Sequence, residues 1–148
     1  MQIRKKRKNK ISLREKNIKI TTLMGYWAKC IKVRDKKCVY CGNTNISELE
    51  AHHIKKRVHS AVKFDLKDGV ALCKFMKGCN GHWRAEHEYE MKQWIKDYIG
   101  IEVYNDLDRR ACEIKKWTPL EKRDLLNYFK EYLKENKNEE SIIKKNMD

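Results

Sequence analysis

The sequence predicts an α+β fold, with a short two-strand unit bracketed by cysteine pairs and flanked by helices at both ends. Three observations predict it. Four cysteines fall into two separated pairs, Cys38-x2-Cys41 and Cys73-x5-Cys79. Two short apolar runs, Leu49–Ile54 and Val70–Cys73, lie between the first pair and the last cysteine. Apolar stripes at helical spacing precede the first pair and follow the second.

Composition narrows the class. The 148 residues give room for one modest core, and the formal net charge of +14 with 38 % charged residues makes a polyanion the expected partner. Nucleic acid stands well ahead of membrane, because no apolar run approaches the ~20 residues of a spanning helix. The basic start Met1-Gln-Ile-Arg-Lys-Lys-Arg-Lys lacks the apolar core of a signal peptide. The expected compartment is therefore the reducing cytoplasm, with six cysteines present as thiols and metal ligands; disulfides are the lesser alternative.

Residues 1–20 carry nine Lys/Arg against one Glu, and read as a flexible arm that lies against phosphates when bound. Its densest run is Arg4, Lys5, Lys6, Arg7 and Lys8, although a solubilising tail or an address tag would look the same. The central domain is expected over 21–116. It opens with a helix carrying Leu23, Met24, Trp27, Ile31 and Val33, and continues into the knuckle turn Cys38-Val-Tyr-Cys41-Gly42. Gly42 can take the left-handed backbone such a turn requires. Leu49–Ile54 reads as a strand ending in His52-His53, residues 55–67 as a basic loop, and Val70–Cys73 as a second strand.

Cys79 and His82 then open a helix with Met91, Trp94, Ile95, Tyr98 and Ile99 on one stripe and Gly100 as its stop. Val103, Leu107, Ala111 and Ile114 mark another stripe. Thr118-Pro119-Leu120-Glu121 is a capping box that starts a helix over 117–135, with Leu125, Leu126, Phe129 and Leu133. Residues 136–148 read as a polar tail that frays.

The cysteine pattern points to one structural zinc held by Cys38, Cys41, Cys73 and Cys79. A two-residue gap lets a single turn present both sulfurs to one ion. The five-residue gap of the second pair is irregular, and a bulged turn around Gly78 would be needed to deliver both sulfurs. His82 as fourth ligand, or buried thiols with no zinc, are the alternatives. Cys30 and Cys112 fall on helical apolar faces, where cysteine behaves as a small hydrophobe.

His52 and His53 are adjacent on a strand, so their side chains leave on opposite faces. One imidazole could hold a metal while the other takes a proton from water. Alone the pair is weak evidence, since two structural histidines would look the same; beside two cysteine pairs it gains weight. His59 and His87 read as solvent-facing polarity, although His87 and Glu86, one turn beyond His82, could assist a metal site.

The stretches Cys38-Val-Tyr-Cys41-Gly42, Leu49-Glu-Ala-His52-His53-Ile54, Asp68-Gly-Val-Ala-Leu-Cys73 and Cys79-Asn80-Gly81-His82 together resemble the HNH nucleases of the ββα-metal class. Tyr26-Trp-Ala-Lys-Cys-Ile-Lys-Val-Arg-Asp35 resembles the lead-in helix of phage recombination nucleases of the lambda NinG type, and the similarity extends over roughly residues 22–112. The resemblance implies a zinc-stapled ββα-metal core with His53 as general base and His52 as ligand to a catalytic divalent ion. The ion's second ligand would be His82, or Asn80 if the count runs directly from the cysteine. Asp68 stands where the family has Asn, a residue that orients the base through the loop backbone; Asp can accept such bonds but not donate them.

The implied activity is hydrolysis of a DNA phosphodiester, leaving 5′-phosphate and 3′-hydroxyl ends, by a phage-encoded endonuclease in its host's cytoplasm. Few protein ligands suit Mg²⁺ or Mn²⁺, and imidazole would also accept Ni²⁺ or Zn²⁺. Lys55, Lys56, Arg57 and Arg84 are placed to grip phosphates near the scissile bond. No base-reading helix or aromatic platform is evident, which predicts weak sequence preference or recognition of DNA shape. Two other readings stand beside this one. One is a non-catalytic zinc module that binds nucleic acid. The other is a homodimer, or a protein docked through its C-terminal helices on phage replication, recombination or packaging proteins.

Overall fold

The computed structural model describes residues 18–74, Cys79 and 87–147. Among them the protein has four α-helices and one two-stranded antiparallel sheet, an α+β arrangement. The helices are α1 (Ile20–Asp35), α2 (Glu88–Ile99), α3 (Ile101–Ala111) and α4 (Pro119–Met147); the strands are β1 (Leu49–His53) and β2 (Gly69–Cys73). The described residues divide into two compact units, one within Trp27–Lys115 and the other made of those up to Tyr26 with those from Lys116 onward. The first boundary thus falls inside α1, within the region expected to be a single domain over 21–116. No helix among the described residues is long and apolar enough to cross a membrane.

In the larger unit, α1 buries Trp27, Cys30 and Ile31, at the i, i+3, i+4 spacing of one helical face. The helix ends at Lys36, whose φ of 59° is left-handed and whose N–H closes on the Lys32 carbonyl at 2.9 Å. The last two helical residues grip β2. Arg34 donates to the carbonyls of Leu66 (2.6 Å) and Gly69 (2.7 Å), and Asp35 accepts the Ala71 N–H at 2.8 Å. The knuckle adds a bond from the Val39 N–H to the Ala71 carbonyl at 3.0 Å.

The strands pair from Leu49 opposite Cys73 to His53 opposite Gly69. All five β2 residues are buried, and β1 is buried at Leu49 and half-buried beyond it. A two-stranded hairpin is marginal by itself in water. Burial of Trp27, Ile31, Val62, Phe64, Val70 and Leu72, each worth ~1.5–3 kcal/mol, supplies what the hairpin lacks.

Gly100, with φ of 92°, separates α2 from α3. Met91 and Ile95 of α2 and Tyr104 and Leu107 of α3 point into the core. Trp94 is only half-buried and Tyr98 is exposed, so the core stripe of α2 is narrower than expected. The α3 stripe also stops short: Ile114 is 92 % exposed and Cys112 is exposed rather than packed. After Ala111 the N–H groups of Cys112 and Glu113 bond three residues back, tightening the last turn, and Ser60 Oγ takes the Lys115 N–H at 2.9 Å. These bonds draw the chain off the helical path.

In the smaller unit, the capping box forms as a reciprocal pair: Thr118 N–H to Glu121 Oε2 at 2.9 Å and Glu121 N–H to Thr118 Oγ1 at 3.2 Å. Phe129 is fully buried. The helix runs on to Met147, where a fraying tail was expected from 136. That stretch holds no Gly or Pro and is rich in Lys and Glu, both strong helix formers, so polarity alone does not end it.

Candidate metal centre and histidine cleft

The Sγ atoms of Cys38, Cys41, Cys73 and Cys79 all lie within 4.8 Å of one another. Four thiolates bound tetrahedrally at about 2.3 Å would stand about 3.8 Å apart, so the sulfurs present fit a zinc ion. Each arrives from a different constraint. Gly42, with φ of 81°, closes the knuckle by donating its N–H to the Cys38 carbonyl at 2.9 Å. Cys73 ends β2, 3.4 Å from Cys41 sulfur to sulfur, and Asn43 Nδ2 lies 3.6 Å from it. Cys79 closes the set despite its irregular spacing, and four sulfurs need no histidine.

Burial works to raise the Cys38 thiol, but the backbone N–H groups of Cys41, Cys73 and Tyr40 outweigh it and bring it down to about 7. Burial, then sulfur crowding, pushes Cys73 and Cys79 up. A divalent cation among the sulfurs would reverse that by stabilising the thiolates. Cys30 is outside the cluster, its thiol raised by burial to about 11.

At the other end of the hairpin, a cleft of about 300 Å³ is lined by His52, His53, Lys56, His59, Glu88 and Lys92, among others. His53 Nε2 lies 3.0 Å from the Lys63 carbonyl, an acceptor only, so Nε2 carries the proton and the ring's lone pair sits on Nδ1. The ring also stacks on Trp27, with centroids 3.9 Å apart and planes 11° from parallel. Burial is the main cause holding His53 below its ordinary pKa; the charges of Arg57 and Lys63 act the same way, and the bond to Lys63 opposes them. A neutral imidazole with a basic Nδ1 can accept a proton.

Asp68 is fully buried. Its Oδ1 accepts the Lys55 N–H at 2.7 Å, and its own carbonyl accepts the Ile54 N–H at 2.8 Å. It therefore ties down the two residues after His53 by accepting alone, so its inability to donate as a carboxylate does not prevent this contact. Its Oδ2 is buried without a hydrogen-bond partner among the described residues. Burial pushes its carboxyl up to about 8, against the pull of the Lys55 N–H.

Two sequence expectations need correction. Lys55 is not held ready for phosphate: its ammonium pairs with Asp108, donates to Tyr104 Oη at 3.2 Å, and has a side chain only 12 % exposed. Lys56 and Arg57 are exposed. His59 is half-buried rather than simply solvent-facing; its Nδ1 bonds the Ala111 carbonyl at 3.1 Å and anchors the loop to the end of α3. His87 is exposed just before α2. The ligands expected at Asn80 and His82, with Arg84, Glu86 and the arm residues Arg4, Lys5, Lys6, Arg7 and Lys8, lie outside the described residues.

Glu88 and Lys92 were not singled out from the sequence. Their four-residue spacing, on the α2 stripe of Met91 and Ile95, was the available signal. Comparison with protein-family models, curated proteins and solved structures finds no match to this chain.

Proposed function

We propose that the chain is a metal-dependent DNA endonuclease of the HNH type, acting on the phosphodiester backbone. One observation carries the reading: two adjacent histidines end β1 and line one cleft, and His53 is bonded so that its Nδ1 is left basic. In this account His52, with His82 or Asn80, would hold a divalent ion. When bound, that ion supplies charge stabilisation at the scissile phosphate and the departing 3′ oxygen.

The chain's own residues do the rest. His53 accepts a proton from water at Nδ1, held by Lys63 through Nε2. Asp68 fixes the backbone of Ile54 and Lys55, and so the loop that follows the base. Lys56, Arg57 and Lys92 draw phosphate toward the cleft. The Cys38–Cys41–Cys73–Cys79 centre takes no part in the chemistry and staples the knuckle to β2.

The test is nicking of supercoiled plasmid in Mg²⁺ or Mn²⁺ by the zinc-loaded protein and by His53→Ala. A chelator removes both metals, so the variant is the decisive control. Cutting by the wild type and loss in His53→Ala support the proposal. Stacking on Trp27 and a backbone bond are also how a structural histidine is held. Intact plasmid with a retained gel shift would therefore favour a zinc-stabilised binding module.

A further inference from the structure

We infer that Trp27 is a positioning residue for His53, fixing the plane of the imidazole and hence the direction of its Nδ1 lone pair. The inference rests on the reading of His53 as the base, and its geometric half stands independently.

A single hydrogen bond does not orient a ring. The imidazole turns about its Cα–Cβ and Cβ–Cγ bonds, and the Nε2–H bond to the Lys63 carbonyl limits that turning without by itself fixing the ring plane. A flat surface against one ring face removes that freedom. Trp27 supplies it, nearly parallel to the imidazole and at contact distance, and is itself 1 % exposed.

The indole is fixed in turn. Its Nε1–H donates to the Asp65 carbonyl at 2.9 Å. The Asp65 side chain is tied by two further bonds: Oδ1 accepts the Lys67 N–H at 2.9 Å, and Oδ2 accepts from Arg110 at 2.6 Å. Arg110 also holds Asp106, its neighbour one turn earlier on α3, at 2.9 Å. The chain of contacts thus runs from α3 through Arg110, Asp65 and Trp27 to His53, and each link is a directional bond or a ring face. A tryptophan that only filled the core would need the volume and a partner for its buried Nε1–H, but not a ring plane parallel to the imidazole.

The experiment compares zinc-loaded wild type with Trp27→Leu, which stays apolar but loses the flat ring and some volume, and with Trp27→Phe, which keeps a ring without the donor. Folding is checked by thermal melting. The His53 ring proton shifts report stacking, and its ¹⁵N shifts report whether Nε2 carries the proton; neither needs nuclease activity. Plasmid nicking gives kcat and KM.

The expected result is that Trp27→Leu loses the upfield ring-current shift and the single Nε2–H tautomer, and drops kcat about 10- to 100-fold with KM little changed. Trp27→Phe should retain part of both. A folded Trp27→Leu with unchanged His53 shifts, or with wild-type kcat, overturns the inference. If the wild type does not cut, the nuclease reading fails. The ¹⁵N tautomer of His53 in Trp27→Leu then still decides whether the indole orients the ring.

Discussion

Gly69 and Trp27 share one space: a Cβ built on Gly69 would lie 2.5 Å from Trp27 Cζ2. Gly69 also stands opposite His53 in the hairpin, so the missing side chain is what lets the indole reach the imidazole. Its φ is an ordinary extended value, −136°, so this glycine is required for room and not for backbone freedom. Gly69→Ala should therefore destabilise the larger unit by about 1–3 kcal/mol through overpacking. Denaturant melts will measure the loss, and a neutral result would mean that α1 can shift without penalty.

The four sulfurs predict metal-dependent folding. Purified protein should carry one zinc per chain, and chelation should lower its melting temperature. Cys38→Ser and Cys73→Ser should abolish stoichiometric zinc and reproduce the chelated melt. Cys112→Ser, exposed and outside the cluster, should leave zinc content at the wild-type value. Elemental analysis with melting curves checks all three.

Asp68 predicts a pH dependence of stability. Its carboxyl sits near 3.8 unfolded and at about 8 in the fold, so the native state binds the proton more tightly between those values. Stability from this group is complete below the unfolded value and is lost as pH rises through about 8. Asp68→Asn keeps an acceptor for the Lys55 N–H and removes the titration. Its melting temperature should exceed the wild type's at pH 9 by more than at pH 5; equal differences at both would mean that Asp68 ionises normally.

The basic loop should divide into two kinds of cationic residue. Lys56→Ala and Arg57→Ala should each lower the salt slope of DNA binding by about one. Lys55→Ala should leave that slope nearly unchanged and instead reduce thermal stability, because its ammonium holds Asp108 and Tyr104. Binding titrations across a salt series, set beside melting curves, separate the two effects.

What could be read in the sequence was local. Spacing within one turn located the knuckle, and the Thr118–Glu121 box located the start of α4. Both strands lie within one residue of their expected bounds at each end. Contacts between residues far apart in the chain were not legible. Nothing in Lys55-Lys56-Arg57 distinguishes the lysine that will meet Asp108, 53 residues on, from its exposed neighbours. The Trp27–His53 stack was hidden for the same reason, since a tryptophan on an apolar stripe gives no sign of what its ring will face. In the sequence Asp68 stands out only as an unexpected residue; its buried Oδ2, without a hydrogen-bond partner among the described residues, is visible only in three dimensions.

The grip of Arg34, Asp35 and Val39 on β2 has a consequence beyond holding the hairpin. A two-stranded sheet presents outward-facing N–H and C=O groups that could template another chain. On β2 the outward groups of Ala71 and the Gly69 carbonyl are occupied by the end of α1 and by the knuckle. That occupied edge offers no purchase for edge-to-edge aggregation or for an added peptide strand. If zinc leaves and the knuckle loosens, the Ala71 carbonyl loses its partner, so the metal-depleted protein should be more prone to self-association as well as less stable.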